Sequence, residues 1–272
     1  MSDADFASIV ARLRAAGCVF AEEEAALLIE AVATGTELAE LVQRRVGGFP
    51  LEYLLGWAEF CGLRISVAPG VFVPRRRTEF LVRQALELLS SSQGLADRSL
   101  DSAPVVLDLC CGSGAIAAAI AAVREDVELY ATDLDSAAVN CARQNLAQYA
   151  PGAQVFQGDL FAALPTRLLG EIDVLMVNAP YVPTAEIALM PPEARLYEAP
   201  AALDGGQDGL RLQRRIAAEI RRWLRPGGRM LIETSLPQAA LTAEIFAANG
   251  LSTRVASCQE SGATVVHGTF AA

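Results

Sequence analysis

The chain has 272 residues, of which 53% are hydrophobic, and a formal net charge of −10. This length suits one large domain or a large domain with a small one, and the apolar share is enough to cover a buried sheet on both faces. The acidic balance disfavours extended contact with the phosphate backbones of nucleic acids, and no apolar run reaches the roughly 18 residues of a membrane span.

The opening residues Met1-Ser2-Asp3-Ala4-Asp5 are acidic and lack the basic-then-apolar order of a signal peptide, so a cytoplasmic protein is expected. Phe6, Ile9, Val10 and Leu13 recur at helical spacing up to a break at Gly17. Ala25, Leu28, Ile29 and Val32 predict a second helix, and Leu38, Leu41 and Val42 a third. Gly47-Gly48-Phe49-Pro50 ends the helical pattern. Phe60 to Ser66 and Val71 to Val73 then read as two short strands around Ala68-Pro69-Gly70, a hairpin between two domains. The division predicted is a helical unit over 1–59, a hairpin linker over 60–74 and a larger domain over 75–272.

The segment 90–102 is rich in serine and reads as a flexible insertion. Beyond it, strand and helix alternate. Val105 to Leu109, Glu128 to Thr132, Gln154 to Gln157 and Asp173 to Val177 read as strands, separated by helices over Ala115 to Val123 and Ser136 to Gln148. A helix from Leu210 to Leu224 stops before Pro226-Gly227-Gly228, and a strand follows at Met230 to Glu233. A helix over Ala239 to Ala248 and two closing strands, Ser252 to Ala256 and Thr264 to Phe270, complete a doubly wound α/β sheet of seven strands.

Several chemistries have little support. The six cysteines are scattered with no CxxC pair, so neither a disulfide framework nor a metal site is expected. His267 is the only histidine and sits in a strand-like run, which leaves Ser-His-Asp and Cys-His mechanisms without a base. All 22 basic residues are arginine, with candidate basic patches at Arg75-Arg76-Arg77 and between Arg211 and Arg225, and the second, at helical spacing, reads as an ordinary solvated face.

The first strand of the larger domain runs into Asp108-Leu109-Cys110-Cys111-Gly112-Ser113-Gly114, where small residues let backbone approach a ligand. Gly112 to Ala117 fits the looser G-x-G-x-x-A dinucleotide pattern, and Asp133 ends the second strand 21 positions later, suited to ribose hydroxyls. An NAD site and an S-adenosylmethionine site are both open at this point. Asp108 suits an ammonium and would repel a pyrophosphate, whereas Asp159, after the third strand, can accept from an adenine amine. These two acids favour the methyl donor. Asn178-Ala179-Pro180-Tyr181 ends the fourth strand with a side-chain amide, a carbonyl and an aromatic face, a set able to hold a planar nitrogen by its two hydrogens.

Asp108 to Gly114, Asp133, Asp159 and Asn178 to Tyr181 together resemble a class I S-adenosylmethionine-dependent methyltransferase of the amide and amine type. The run from Arg44-Arg45 to Gly56, then Glu59-Phe60, Val73-Pro74-Arg75, Thr78-Glu79 and Ala202 to Leu210, is similar to the HemK-like release-factor glutamine methyltransferases. The resemblance covers nearly the whole chain. It implies a Rossmann-like class I sheet, a small N-terminal helical domain for partner recognition and a β-hairpin linker. It also implies S-adenosylmethionine held by Asp108, Cys110, Gly112, Gly114, Asp133, Asp159, Leu160 and Asn178. The acceptor, gripped by Asn178, Ala179, Pro180 and Tyr181, would be the glutamine of a Gly-Gly-Gln loop in a peptide chain release factor, met by a monomeric enzyme.

The chain departs from that pattern at four places. Cys110 replaces a glycine, Ala179 a proline, Arg76-Arg77 stand for Pro-Asp, and Glu233-Thr234-Ser235 for Glu-His-Gly. Adenine amine methylation of DNA or RNA is the alternative enzyme reading, and a protein-binding module with a degenerate methyltransferase fold is the non-enzyme one. An NAD dehydrogenase is a minor fourth, for it leaves Asn178 to Tyr181 unexplained.

Overall fold

A computed structural model describes residues 3–32, 35–90 and 102–271. The expected flexible insertion over 90–102 lies almost wholly outside them. Four helices open the chain: α1 (Asp3–Ala15), α2 (Ala21–Glu30), α3 (Gly35–Val46) and α4 (Leu51–Leu55). Their apolar stripes enclose a core of their own around Leu13, Ala21, Ala25, Leu28 and Val42. Gly56 stops α4 in the left-handed conformation (φ 79°) and donates its N–H to Glu52 O at 2.8 Å.

The hairpin differs from the sequence expectation. Strands β1 (Trp57–Phe60) and β2 (Leu63–Ser66) pair antiparallel across Cys61-Gly62, whereas Pro69-Gly70 makes a separate turn, Val71 N donating to Ala68 O at 3.0 Å, and Val71 to Val73 form no strand. Cys61 and Gly62 both take positive φ (51° and 75°), the backbone of a two-residue turn whose twist matches its strands. Cysteine is a weak signal for that turn, so the sequence pointed instead to Pro69-Gly70. The hairpin therefore straddles position 59/60.

The rest of the chain alternates as expected: α5 (Glu79–Ser90), β3 (Val105–Leu109), α6 (Ala115–Ala121), β4 (Glu128–Asp133), α7 (Ser136–Tyr149), β5 (Gln154–Gln157), β6 (Ile172–Val177), α8 (Pro192–Tyr197), α9 (Arg211–Glu219), β7 (Leu224–Thr234), α10 (Ala239–Ala248), β8 (Leu251–Cys258) and β9 (Ala263–Phe270). Seven strands form one sheet in the order β5-β4-β3-β6-β7-β9-β8, parallel except for β9, which runs against both neighbours. Period-2 alternation divides the core. Val106, Val174 and Met176 face α5, α6 and α7, while Leu107, Leu175 and Val177 face α9 and α10. This is the class I methyltransferase fold.

A second difference lies at β7. The helix ends at Glu219, one 3-10 turn follows, and the strand begins at Leu224, before Pro226-Gly227-Gly228. Ile172 pairs with Leu224 but Val174 with Arg229, so those residues bulge out of the ladder, as a proline without an N–H requires. Gly228 has no alternative there, because a Cβ would lie 2.8 Å from Ile172 O.

The buried Arg45 ties α3 to α2 and reaches across to α8. Arg45 donates to both carboxylate oxygens of Glu24 (2.6 and 3.1 Å), to Phe49 O and, at 2.5 Å, to Glu193 of α8. Glu24 and Arg45 are both buried. Removing one partner would strand the other charge, and such losses cost about 3–5 kcal/mol. Arg45→Met should lower the unfolding free energy by about that amount in a urea titration, and Arg45→Met with Glu24→Leu should recover most of it.

Candidate active site

The carboxyl ends of β3 to β6 open into a cavity of about 670 Å³. The connection after β3 holds its first wall. Cys110 and Gly112 take positive φ (61° and 54°), and Gly114 (φ 75°) starts α6. A side chain on Gly114 would meet the Cα of Ala142 in α7 at 3.1 Å, so the glycine lets the two helices close together. Buried Asn145 of α7 fastens the turn to the hairpin, donating to Ser113 O (2.8 Å) and Ser66 O (2.9 Å) and accepting from Ser66 N (2.8 Å). Cys110 pays for its left-handed backbone, which costs a non-glycine residue about 1–2 kcal/mol. The glycine expected there carries no such penalty.

Most of the expected site residues meet in the cavity wall: Cys110, Gly112, Asp133, Asp159, Leu160 and the whole of Asn178 to Tyr181. Asp133 accepts from Gly112 N and Asp135 N, each at 2.9 Å, and burial pushes its carboxyl upward against those donors. Asp159 pairs with Arg215 of α9 at 2.8 Å, so the acid expected to meet an adenine amine already shares its charge. Leu160 adopts φ 51°.

Gly114 and Asp108 lie outside that wall. Asp108 is fully buried behind the turn, accepting from Ala117 N at 3.1 Å with Oδ2 while Oδ1 has no partner. Burial pushes its carboxyl up to about 7, the Ala117 N–H opposes this, and Asp133 adds to it. The Cys110 and Cys111 thiols are pushed up by burial and the same aspartates, so they stay protonated and offer no nucleophile.

The second wall carries the clustered amide and aromatic. Asn178 Nδ2 donates to Thr78 Oγ1 at 3.3 Å, which fixes the amide nitrogen on the Thr78 side. Tyr181 OH donates to Glu233 Oε1 at 3.1 Å, and burial with the Glu233 charge holds the phenol protonated. The main chain of this loop is gripped from behind. Val182 O accepts from Gly205 N at 2.9 Å, and Tyr181 O accepts from Gln238 Nε2 at 3.0 Å. A Cβ on Gly209 would lie 2.2 Å from Tyr181 O, and one on Gly205 2.8 Å from Tyr181 Cα. Gly205 and Gly209 let two backbones touch.

Sequence reasoning did not single out Arg75, Arg77, Thr78, Asp135 and Arg215 as site residues, yet all line the cavity. Only Asp135 had a local signal. It precedes Ser136 as the N-cap of α7 and accepts from Ala137 N (2.7 Å) and Ala138 N (3.0 Å). The arginine clusters are largely tied down: Arg75 to Glu198 (2.5 Å), Arg77 to Glu233 (3.2 Å), Arg214 to Asp208 (2.5 Å) and Arg225 to Asp173. His267 lies in β9 outside the cavity, where burial and then Arg254 and Arg229 push it down to about 4. All six cysteines are free, and no helix among the described residues is long and apolar enough to cross a membrane.

Residues 87–207 match the family profile "Methyltransferase small domain". A release factor glutamine methyltransferase of Geobacter sulfurreducens is 36% identical over 210 residues, covering 77% of this chain and 69% of that protein. The chain belongs to the release factor glutamine methyltransferase family. A 4-amino-L-phenylalanine/4-methylamino-L-phenylalanine methyltransferase of Streptomyces pristinaespiralis is also 36% identical, over 209 residues, with the same two coverages. A methyltransferase structure from Pyrococcus furiosus shares the fold, with a TM-score of 0.56 at 16% identity over 78% of this chain and 90% of that one.

This methyltransferase uses S-adenosylmethionine, and the cavity's donor set fits that group. Asp133 suits vicinal hydroxyls, Asp159 an exocyclic amine, and the turn 110–114 supplies the close backbone approach. Asp108, two residues before that turn, keeps a buried Oδ1 without a hydrogen-bond partner.

The raised carboxyl of Asp108 has a consequence for stability. Between the ordinary carboxylate range and about pH 7 the folded protein holds a proton that the unfolded chain has released, so stability falls as pH rises through that window. Asp108→Asn should melt near wild type at pH 4 and progressively higher than wild type toward pH 7.5, in cofactor-free protein followed by thermal denaturation. Gly209→Ala should destabilise the fold at every pH, since its methyl meets backbone.

Proposed function

We propose that this methyltransferase transfers a methyl group to the side-chain amide nitrogen of a protein glutamine, in the Gly-Gly-Gln loop of a peptide chain release factor. The observation that carries the reading is the orientation of Asn178. Its Nδ2 is taken by Thr78 Oγ1, which leaves Oδ1 as the group for an incoming N–H. The names of the relatives support the acceptor, as does the family-like linker that leads into the cavity.

Bound S-adenosylmethionine supplies an electrophilic methyl on a sulfonium. The chain's task is then to present a poor nucleophile, because an amide lone pair is delocalised into its carbonyl. Asn178 Oδ1 and the Ala179 carbonyl each accept one N–H of the acceptor amide. Two fixed dipoles aimed at that nitrogen orient it and favour the positive charge that grows on it as the N–C bond forms and the S–C bond breaks. Tyr181 packs on the amide plane. The nitrogen sheds a proton to water afterwards, so the phenol of Tyr181, held protonated, has no acid–base task. In this reading Asp108, Cys110, Gly112, Gly114, Asp133, Asp159, Leu160 and Asn178 form the cofactor side. Residues 1–59 recognise the partner protein, 60–74 link, and 75–272 catalyse, as a monomer in the cytoplasm.

A second acceptor class has one specific support. The S. pristinaespiralis relative acts by its name on an arylamine amino acid, at the same identity as the G. sulfurreducens relative. The same clamp can hold an arylamine nitrogen.

Incubation with methyl-labelled S-adenosylmethionine separates the two. Label should appear on purified release factor and vanish when the glutamine of its Gly-Gly-Gln loop is changed. Label on 4-amino-L-phenylalanine alone would transfer the assignment to the arylamine class. Asn178→Ala should cut turnover by about 100-fold or more with either acceptor, as the loss of preorganised dipoles predicts.

A further inference from the structure

The two halves of the proposed acceptor clamp hang from a single short element about a hundred residues upstream. Arg76–Thr78 is one turn of 3-10 helix between the segment 67–74 and α5. Its last residue, Thr78, is 2% exposed and takes the Asn178 amide nitrogen on Oγ1 at 3.3 Å. Its middle residue, Arg77, donates Nε to Glu233 Oε1 at 3.2 Å, the same oxygen that accepts from Tyr181 OH at 3.1 Å. The Arg77 guanidinium also lies over the Tyr181 ring, 5.8 Å from its centroid. Glu233 is itself 2% exposed, and its Oε2 has no partner.

We infer that the turn Arg76–Thr78 is a template that sets acceptor geometry, with Thr78 and Arg77 as positioning residues for Asn178 and Tyr181. This rests on the reading of Asn178 to Tyr181 as the acceptor clamp.

The physical need is specific. A side-chain amide has nearly isosteric ends, and only the oxygen can accept from an acceptor N–H. Thr78 Oγ1 accepts from Nδ2 on the opposite side, and that bond goes with the amide orientation that turns Oδ1 outward. Tyr181 presents a plate whose tilt depends on its hydroxyl, and Glu233 fixes that hydroxyl. Glu233 is a carboxylate in an apolar wall, where a charge without a partner is expensive. Arg77 supplies the partner and covers the outer face of the ring. The departure of Arg77 from the family's aspartate thus places a cation where a buried carboxylate and an aromatic face both accept one. The template is anchored in turn: Thr78 N donates to Arg75 O at 2.9 Å, and Arg75 pairs with Glu198.

The test uses the full chain with release factor as acceptor. Thr78→Val keeps the shape and removes the oxygen. It should lower kcat about tenfold, the worth of one orienting hydrogen bond, while calorimetry finds S-adenosylmethionine binding unchanged within about twofold. Thr78→Ser should restore kcat. Arg77→Met and Tyr181→Phe should each raise the acceptor KM, and together raise it by less than the product of the single effects. Turnover near wild type in Thr78→Val, while Asn178→Ala is inactive, would overturn the template and leave the clamp standing. Independent effects of Arg77→Met and Tyr181→Phe would overturn its Arg77 half. Near-normal turnover in Asn178→Ala would instead sink the clamp reading itself. A readout free of any acceptor is the side-chain amide resonance of Asn178. Its two protons should exchange with water at unequal rates in wild type and Thr78→Ser and at similar rates in Thr78→Val. Equal behaviour in all three overturns the proposal.

Discussion

The contact between two backbones at Tyr181 constrains everything around the cavity. Gly209 approaches Tyr181 O so closely that a single methyl would fall 2.2 Å from it, and Gly205 packs on the Tyr181 Cα. Main chain can meet main chain at that distance only where side chains are absent. The loop after β6 is consequently pressed between the 203–210 segment and the sheet, and Gln238 bridges Tyr181 O and Asp208 O at 3.0 Å each. A strand end that would otherwise be an exposed, mobile connection becomes part of the protein interior. Residues that must hold a reacting nitrogen to within a fraction of an ångström need that kind of support.

Burial also sorts the charges. Four carboxylates sit at the ends or starts of buried strands or against them: Asp108, Asp173, Glu198 and Glu233. Three of these hold an arginine, so Arg75, Arg77 and Arg225 of the basic clusters are committed to internal pairing. Burial pushes the Asp108 carboxyl up with no ion pair among the described residues to oppose it, and pushes Glu198 up as well, there against the opposing charge of Arg75. Cys110 and Cys111 fall on the same side of this logic, since thiols beside buried aspartates stay neutral.

How much of this was legible in the sequence depended on whether the signal was local. The short apolar runs of β3, β4 and β6 and the caps and stops of their helices are local properties, and the sheet followed from them. So did the carboxyl-edge position of Asp133, Asp159 and Asn178 to Tyr181, since a strand end in this fold is an address. The hairpin was misplaced because Cys61-Gly62 adopts a turn that its composition does not advertise, whereas the turn that Pro69-Gly70 advertises forms, with Val71 N on Ala68 O at 3.0 Å, but leads into no strand paired with β2. The start of β7 was missed because a proline ends a regular ladder yet not the strand, which resumes past a bulge. Arg215 on Asp159 joins positions 56 residues apart, and Thr78 on Asn178 joins positions 100 apart. No window of sequence contains such a pair, and only the folded sheet brings them together.

The position of Ala179 shows how tertiary bonds stand in for local stiffness. The resemblance leads one to expect proline there, whose ring fixes φ and narrows what the preceding asparagine can do. Alanine removes both restrictions, and Asn178 would gain freedom in an isolated loop. In the folded chain that freedom is withdrawn from four directions. Ala179 is 3% exposed and packs in the core on the α9 and α10 side. Val182 is bonded on both sides, its N–H to Leu203 O and its carbonyl to Gly205 N. Gln238 holds the Tyr181 carbonyl, and Thr78 holds the Asn178 amide. Each bond is worth only about 1 kcal/mol on its own, but together they span every residue of the motif that retains a free torsion. A loop restrained by its neighbours tolerates the loss of a proline that a loop restrained by itself would not. The geometry of the proposed clamp is therefore a property of the packed 200–210 segment and the Arg76–Thr78 turn as much as of the four residues that form it.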